Sequence, residues 1–205
     1  MPQPFKRRSD QEVIISPDAI LQRPNFAALI ALVAGYWSRL EHVFGMPFAF
    51  LLAGNEPTAL ACYHSVFELG LRKQLFISAA NTRYLPQELI DEYNKLHTEI
   101  RKIAKNRNAI VHGLWGICET RKDSILLCEP NSFTKMVFDA QSIHNENINQ
   151  SKTPQRTVAR IDEFIEYKEN DFKEILDVIS KQTNAAQAYL VKIVDFSIST
   201  QKETK

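Results

Sequence analysis

The chain lacks the short patterns that mark several large enzyme classes. No GxxxxGK followed by Ser or Thr, no GxGxxG, no HExxH and no GxSxG occurs in its 205 residues. P-loop hydrolysis, a Rossmann cofactor, a zincin and a serine hydrolase therefore drop out, because each needs its glycines, paired histidines or nucleophile turn at those spacings. Cysteine is scarce. Cys62, Cys118 and Cys128 lack the paired spacing of metal ligands, and an odd number suits a reducing compartment better than a disulfide scaffold. A cytoplasmic address is expected. Long hydrophobic runs are missing too, since Phe26 to Trp37 is the longest and falls short of the ~20 residues that a membrane span needs. Arg39, Glu41 and His42 follow it directly, so the run is read as a buried helix and no membrane partner is expected. Excess charge of one sign is absent as well. A formal net charge of +1 excludes the bulk electrostatics of a protein that coats nucleic acid, and any polyanion must meet a local cluster.

What is present is a core's worth of apolar residues, at 44% of the chain, enough for one domain or one domain with an insertion. The basic start MPQPFKRRSD precedes no apolar secretory core, so residues 1–24 are expected to form a flexible arm. A helix is predicted from about Asn25 to Leu52, with Asn25 as cap and a kink or break near Gly45 and Pro47. Asn55, Glu56 and Pro57 open a second helix that runs to about Ala80. A third starts at Pro86. Its early Glu88, Asp91 and Glu92 and late Arg101, Lys102 and Lys105 suit both ends of the helix dipole, and Leu89, Tyr93, Leu96, Ile100 and Ile103 trace one face.

After Gly113 the period changes. LWGICE and SILLCE on either side of TRKD read as a β-hairpin, which would make Cys118 and Cys128 near neighbours, packed as thiols. TKMVFDA is a possible third strand, and the polar stretch from Gln141 to Pro154 reads as a loop. Thr157 to Tyr167 fits a strand or a helix. A last helix covers about Asn170 to Ser199, with a frayed tail at residues 200–205. The expectation is thus a mainly α protein, a single domain over 25–199 with a small antiparallel β insertion at about 114–167, between the third and last helices.

His42, His64, His97 and His144 are isolated in the sequence, and neither a metal nor another cofactor is expected. Glu41 and His42 in the first helix, with His64 and Glu68 in the second, could line a pocket if those helices face it. Spacing alone does not distinguish that from a surface accident.

The stretch Ile103 to Trp115, IAKNRNAIVHGLW, stands apart because Arg107 falls on the apolar stripe of the third helix. Asn108 and His112 are four residues apart and share a face, whereas Arg107 and His112 are five apart, ~140° around an ideal helix and ~7.5 Å along it. A site using both needs unwinding near Gly113, the reach of the long arginine, or a second copy of the motif. The plain alternative is a dipole-matched helix end with a glycine cap.

The segment RNAIVH at 107–112 resembles the R-x4-6-H motif of the HEPN superfamily, in its RNxxxH form. The resemblance extends to the order of long helices before the motif and one after it, and it implies a HEPN-like bundle of about four long helices. It also implies a metal-independent endoribonuclease working as a homodimer, with RNA as substrate, a toxin or phage-defence setting, and an antitoxin or regulatory protein as possible partner. His112 is then general base or acid, Arg107 the clamp on the phosphate and transition state, and Asn108 the group orienting either the histidine or the phosphate. Lys105 and Arg101 would add positive potential for substrate binding. The presumed strand patch departs from the minimal bundle, and a non-catalytic HEPN-like adaptor that binds RNA or protein through the same groove is the alternative.

Overall fold

A computed structural model describes residues 2–5, 12–52, 55–149 and 164–203. In chain order these form β1 (Gln3–Pro4), β2 (Val13–Ile15), a short 3-10 turn (Pro17–Ala19), α1 (Pro24–Leu52), α2 (Glu56–Ser65), α3 (Leu69–Thr82), α4 (Gln87–His112), β3 (Leu114–Cys118), β4 (Ser124–Cys128), α5 (Pro130–Asn149), β5 (Phe164–Lys168) and α6 (Glu169–Glu203). The protein is mainly helical with one small antiparallel sheet, and the described residues hold six α-helices where about four were expected. None of them is long and apolar enough to cross a membrane. Two compact units divide the chain, one of Met1–Val33 and Arg107–Ile175, the other of Ala34–Asn106 and Leu176–Lys205.

The first unit is built on the sheet, in the order β1-β5-β4-β3-β2. The hairpin forms as its pattern predicts, with Leu114 opposite Cys128 and Gly116 opposite Leu126. That register corrects the cysteine expectation. Cys128 faces Leu114, four residues before Cys118 on the partner strand, which separates the two thiols by ~14 Å along the strand. Strand alternation then sorts the faces. Phe5, Cys118, Leu126, Cys128 and Phe164 form one buried cluster with Met136 of α5, and Phe133 packs beside it. On the opposite face Trp115, Tyr167 and Phe172 meet edge to face or tilted, with centroids 5.4 to 6.1 Å apart, and Phe26 meets Phe172 at 6.0 Å.

Three further expectations are corrected here. TKMVFDA is no strand, and Gln141 to Asn149 is no loop, because both belong to α5. Phe133 and Met136, three residues apart, reach the sheet from one helical face, and burial there outweighs the β-like composition. The N-terminal arm supplies both edge strands. Gln3–Pro4 pairs with β5 and Val13–Ile15 with β3, Phe5 is buried, and the Phe5 N–H donates to the Phe164 carbonyl at 2.8 Å. The edges thereby gain partners that a hairpin alone leaves without. The sheet is consequently more than an insertion. Of the ambiguous stretch, Phe164 to Tyr167 is strand, and 157–163 lies outside the described residues.

In the second unit the core is aromatic. Tyr93 of α4 stacks on Phe76 at 3.6 Å and on Phe44 at 4.9 Å, with Tyr189 of α6 at 6.1 Å. Its hydroxyl meets that of Tyr63 at 3.5 Å, and burial pushes the Tyr93 phenol well above its usual range. Helix α1 runs unbroken through Gly45 and Pro47. Gly45 serves close packing instead, since a β-carbon there would lie 2.9 Å from the Tyr63 ring. The expected second helix is two helices. Val66 is extended, and the Arg72 Nε–H donates to the Val66 carbonyl at 2.5 Å, a clasp across six residues with Gly70 between them. Helix α6 continues to Glu203, past the expected frayed end at Ser199.

Candidate functional site

Helix α4 carries RNAIVH to its final residue without unwinding. The helix ends because β3 starts at once. The Gly113 N–H donates to the Ala109 carbonyl at 2.9 Å, and a β-carbon on Gly113 would lie 2.1 Å from Leu127 Cδ1. Trp115, buried beside Tyr167 and Phe172, donates its indole N–H to the Ile110 carbonyl at 3.2 Å. The last turn of α4 is thus bonded to the strand that follows it, which gives its side chains a rigid base.

On that base Arg107 is half-buried, whereas Asn108 and His112 are exposed. The Arg107 Nη1–H donates to Asn108 Oδ1 at 2.9 Å. The expected roles of Asn108 were to orient the histidine or the phosphate; here its side chain meets the Arg107 cation instead, and among the described residues no hydrogen bond joins Asn108 to His112. Arg107 and His112 remain five residues apart on a regular helix, so one chain does not bring them face to face through local unwinding. Arg101 and Lys105 are exposed on α4 and belong to the second unit.

The arrangement offers an oriented guanidinium, whose planar donors suit phosphate oxygens, and an accessible imidazole, the side chain that exchanges protons near neutral pH. Among the described residues no group of three or more His, Cys, Asp or Glu side chains is placed to hold a metal.

The second unit contains a cluster whose members are only partly visible in the sequence. The rings of His42 and His64 are parallel within 7° at 6.0 Å, so the α1 and α2 residues do meet. Glu41 pairs with Arg72 at 2.8 Å, and Glu68 has no part in that pair. The Arg72 guanidinium lies 5.5 Å from the centre of the Tyr63 ring. Burial, then Arg72, then His42 push the His64 imidazole below its ordinary value. Arg72 is not among the residues that the sequence motifs single out. Its signal is the one that marks Arg107, a cation on a buried stripe, here between Leu69 and Phe76.

No family model, no curated protein and no solved structure matches the chain.

Proposed function

We propose that the α4–β3 corner is a HEPN-type ribonuclease site, completed by the same corner of a second copy of the chain. The observation that carries this reading is the Arg107 guanidinium held by Asn108 within RNAIVH, with His112 exposed as the last residue of the helix. Cleavage of RNA without metal needs a base to take the 2′-hydroxyl proton, an acid to protonate the leaving 5′-oxygen, and a cation for the charge that builds on phosphorus-bound oxygen. In a dimer, two His112 side chains supply base and acid, and Arg107 supplies the cation. The 2′-oxygen then bonds to phosphorus as the bond to the 5′-oxygen breaks, and the products are a cyclic 2′,3′-phosphate and a 5′-hydroxyl. In this reading the long helices are those of a HEPN bundle, the sheet is the chain's own addition, and a toxin or phage-defence setting with an inhibitory partner protein follows by analogy.

The test uses wild type, Arg107→Ala and His112→Ala with structured RNA and tRNA in EDTA. Cleavage by wild type alone supports the enzyme, and equal activity in all three sinks it. RNA binding without cleavage, lost in Arg107→Ala, would replace it with a non-catalytic adaptor. A monomeric mass by light scattering at micromolar concentration counts against the composite site.

A further inference from the structure

The first unit holds a cavity of about 360 Å³, within the size range of small-ligand sites. Three cations line it from three separate parts of the chain: Arg23 just before α1, Lys122 in the turn of the hairpin, and Lys168 at the end of β5. The antiparallel register brings the latter two together, because Ser124 pairs with Lys168 and so sets the turn beside the end of β5. Two carboxylates, Asp123 and Glu169, line the same cavity. Lys168 Nζ lies 3.5 Å from Asp123 Oδ2, with the two side chains 59% and 73% exposed. Such a loose, solvated pair contributes little and yields readily to a competing anion.

Arg23 adds a directional donor. Its Nη1–H donates to the Gln22 carbonyl at 3.3 Å, while Nε is buried and bonds to no protein acceptor. The guanidinium of a lining arginine suits anionic oxygens, because its charge and planar donors match their geometry. The amides of Asn25 and Asn170, also in the lining, offer both donors and acceptors for a polar ligand body. The first turns of α1 and α6 border the cavity, and their dipoles favour the same sign of ligand.

We propose that this cavity binds the phosphate group of a nucleotide-sized ligand, with Lys122, Lys168 and Arg23 holding the oxyanion. The volume exceeds what one phosphate fills, and the flanking amides take the sugar or base. The phosphate can belong to a free nucleotide or to the 5′ end of an RNA strand. This inference does not rest on the ribonuclease reading.

Calorimetric titration of the full chain with inorganic phosphate, AMP, adenosine, and a short RNA with or without a 5′-phosphate tests it. AMP is expected to bind where adenosine does not, and a 5′-phosphate is expected to tighten the RNA. AMP binding without an effect of the RNA phosphate assigns the free nucleotide; the converse assigns the RNA end. The double variant Lys122→Gln/Lys168→Gln is expected to weaken binding at least about tenfold, and Asp123→Asn to strengthen it by about threefold, with both effects shrinking in high salt. All three sites are exposed, and circular dichroism checks that the fold is kept. Arg107→Ala should leave the affinity for AMP unchanged, so loss of the α4–β3 site and loss of this one are separable. Equal binding of AMP and adenosine, no binding of any phosphate compound, or wild-type affinity in the lysine double variant overturns the proposal.

Discussion

A β-carbon on Gly113 would sit 2.1 Å from Leu127 Cδ1, so the end of α4 and the Leu127 side chain of β4 are in close contact. The same β-carbon would lie 2.5 Å from the Ala109 carbonyl oxygen, at the helix's own last turn. Gly113 is thus required by space, and the corner that carries His112 depends on it.

Gly113→Ala is therefore expected to lower stability by ~1–3 kcal/mol, the usual cost of overpacking. Trimming Leu127 in the same chain should recover only part of the loss, because the clash with the Ala109 carbonyl remains. Urea denaturation of the two single variants and the double variant measures the coupling. Wild-type stability in Gly113→Ala would show that the corner is not tightly packed.

Asn108 acts on Arg107, and its removal should be felt in rate rather than in fold. On the proposed reaction, Asn108→Ala is expected to slow RNA cleavage about tenfold, the loss of one hydrogen bond of ~1.4 kcal/mol in the transition state. Asn108→Asp should slow it more, since a carboxylate on Arg107 competes with the phosphate. Initial rates in EDTA check this, and an unaltered rate in Asn108→Ala would remove Asn108 from the site.

Glu166 ties three segments of the first unit together. It accepts from Arg121 Nη1 at 2.7 Å and from Ser124 Oγ at 2.7 Å, and Arg121 lies 4.7 Å from the centre of the Phe5 ring. Glu166→Gln should cost ~1–3 kcal/mol, and Ser124→Ala ~1 kcal/mol. Arg121→Ala should also loosen the N-terminal strand, which faster exchange of the Phe5 amide hydrogen would reveal. Protection of that amide at the wild-type level would show that Arg121 does not secure β1.

Acid should weaken the second unit before ordinary carboxylates titrate. Burial is the largest cause holding His64 and His97 below their ordinary value of 6.5, with Arg72 and His42 adding to it at His64. At His97 the hydrogen bond to the Leu69 carbonyl acts the other way, and Lys73 and Arg101 add to the lowering. In the window below 6.5 the folded state binds fewer protons than the unfolded one. This stability is complete above that pH and is lost as the pH falls through the lowered folded values. The urea midpoint should drop between pH 7.5 and 5.5, with a shallower slope in His64→Gln and His97→Gln. A midpoint that rises on acidification would contradict it.

Only one of the three thiols should react quickly. Cys62 is exposed, while Cys118 and Cys128 are buried and lie far beyond the ~7 Å between α-carbons that a disulfide allows. Maleimide labelling of the native protein is expected to modify Cys62 alone, and mild oxidation should join no Cys118 to Cys128. A crosslink between those two would refute the hairpin register.

Periodicity and capping made α1, α4 and α6 legible from residue order, as well as the hairpin between Gly113 and Glu129, because each is decided by neighbours three or four residues away or by one short turn. The candidate site was legible for the same reason: Arg107 on an apolar stripe is a local anomaly. Contacts outside the helical and strand periods decided the rest. Met136 and Phe133 turned a strand-like segment into α5 by packing on the sheet, Arg72 divided α2 from α3 by reaching the Val66 carbonyl, and unpaired sheet edges recruited Gln3–Pro4 and Val13–Ile15. The sequence by itself determined where α1, α4 and α6 form and that Arg107 interrupts an apolar helical stripe. Only the tertiary structure decided that Asn108 holds that cation, that His42 lies against His64, and that Arg23, Lys122 and Lys168 share one cavity. The first is a choice of rotamer between adjacent residues, and the other two depend on sheet register and side-chain packing between segments far apart in the chain.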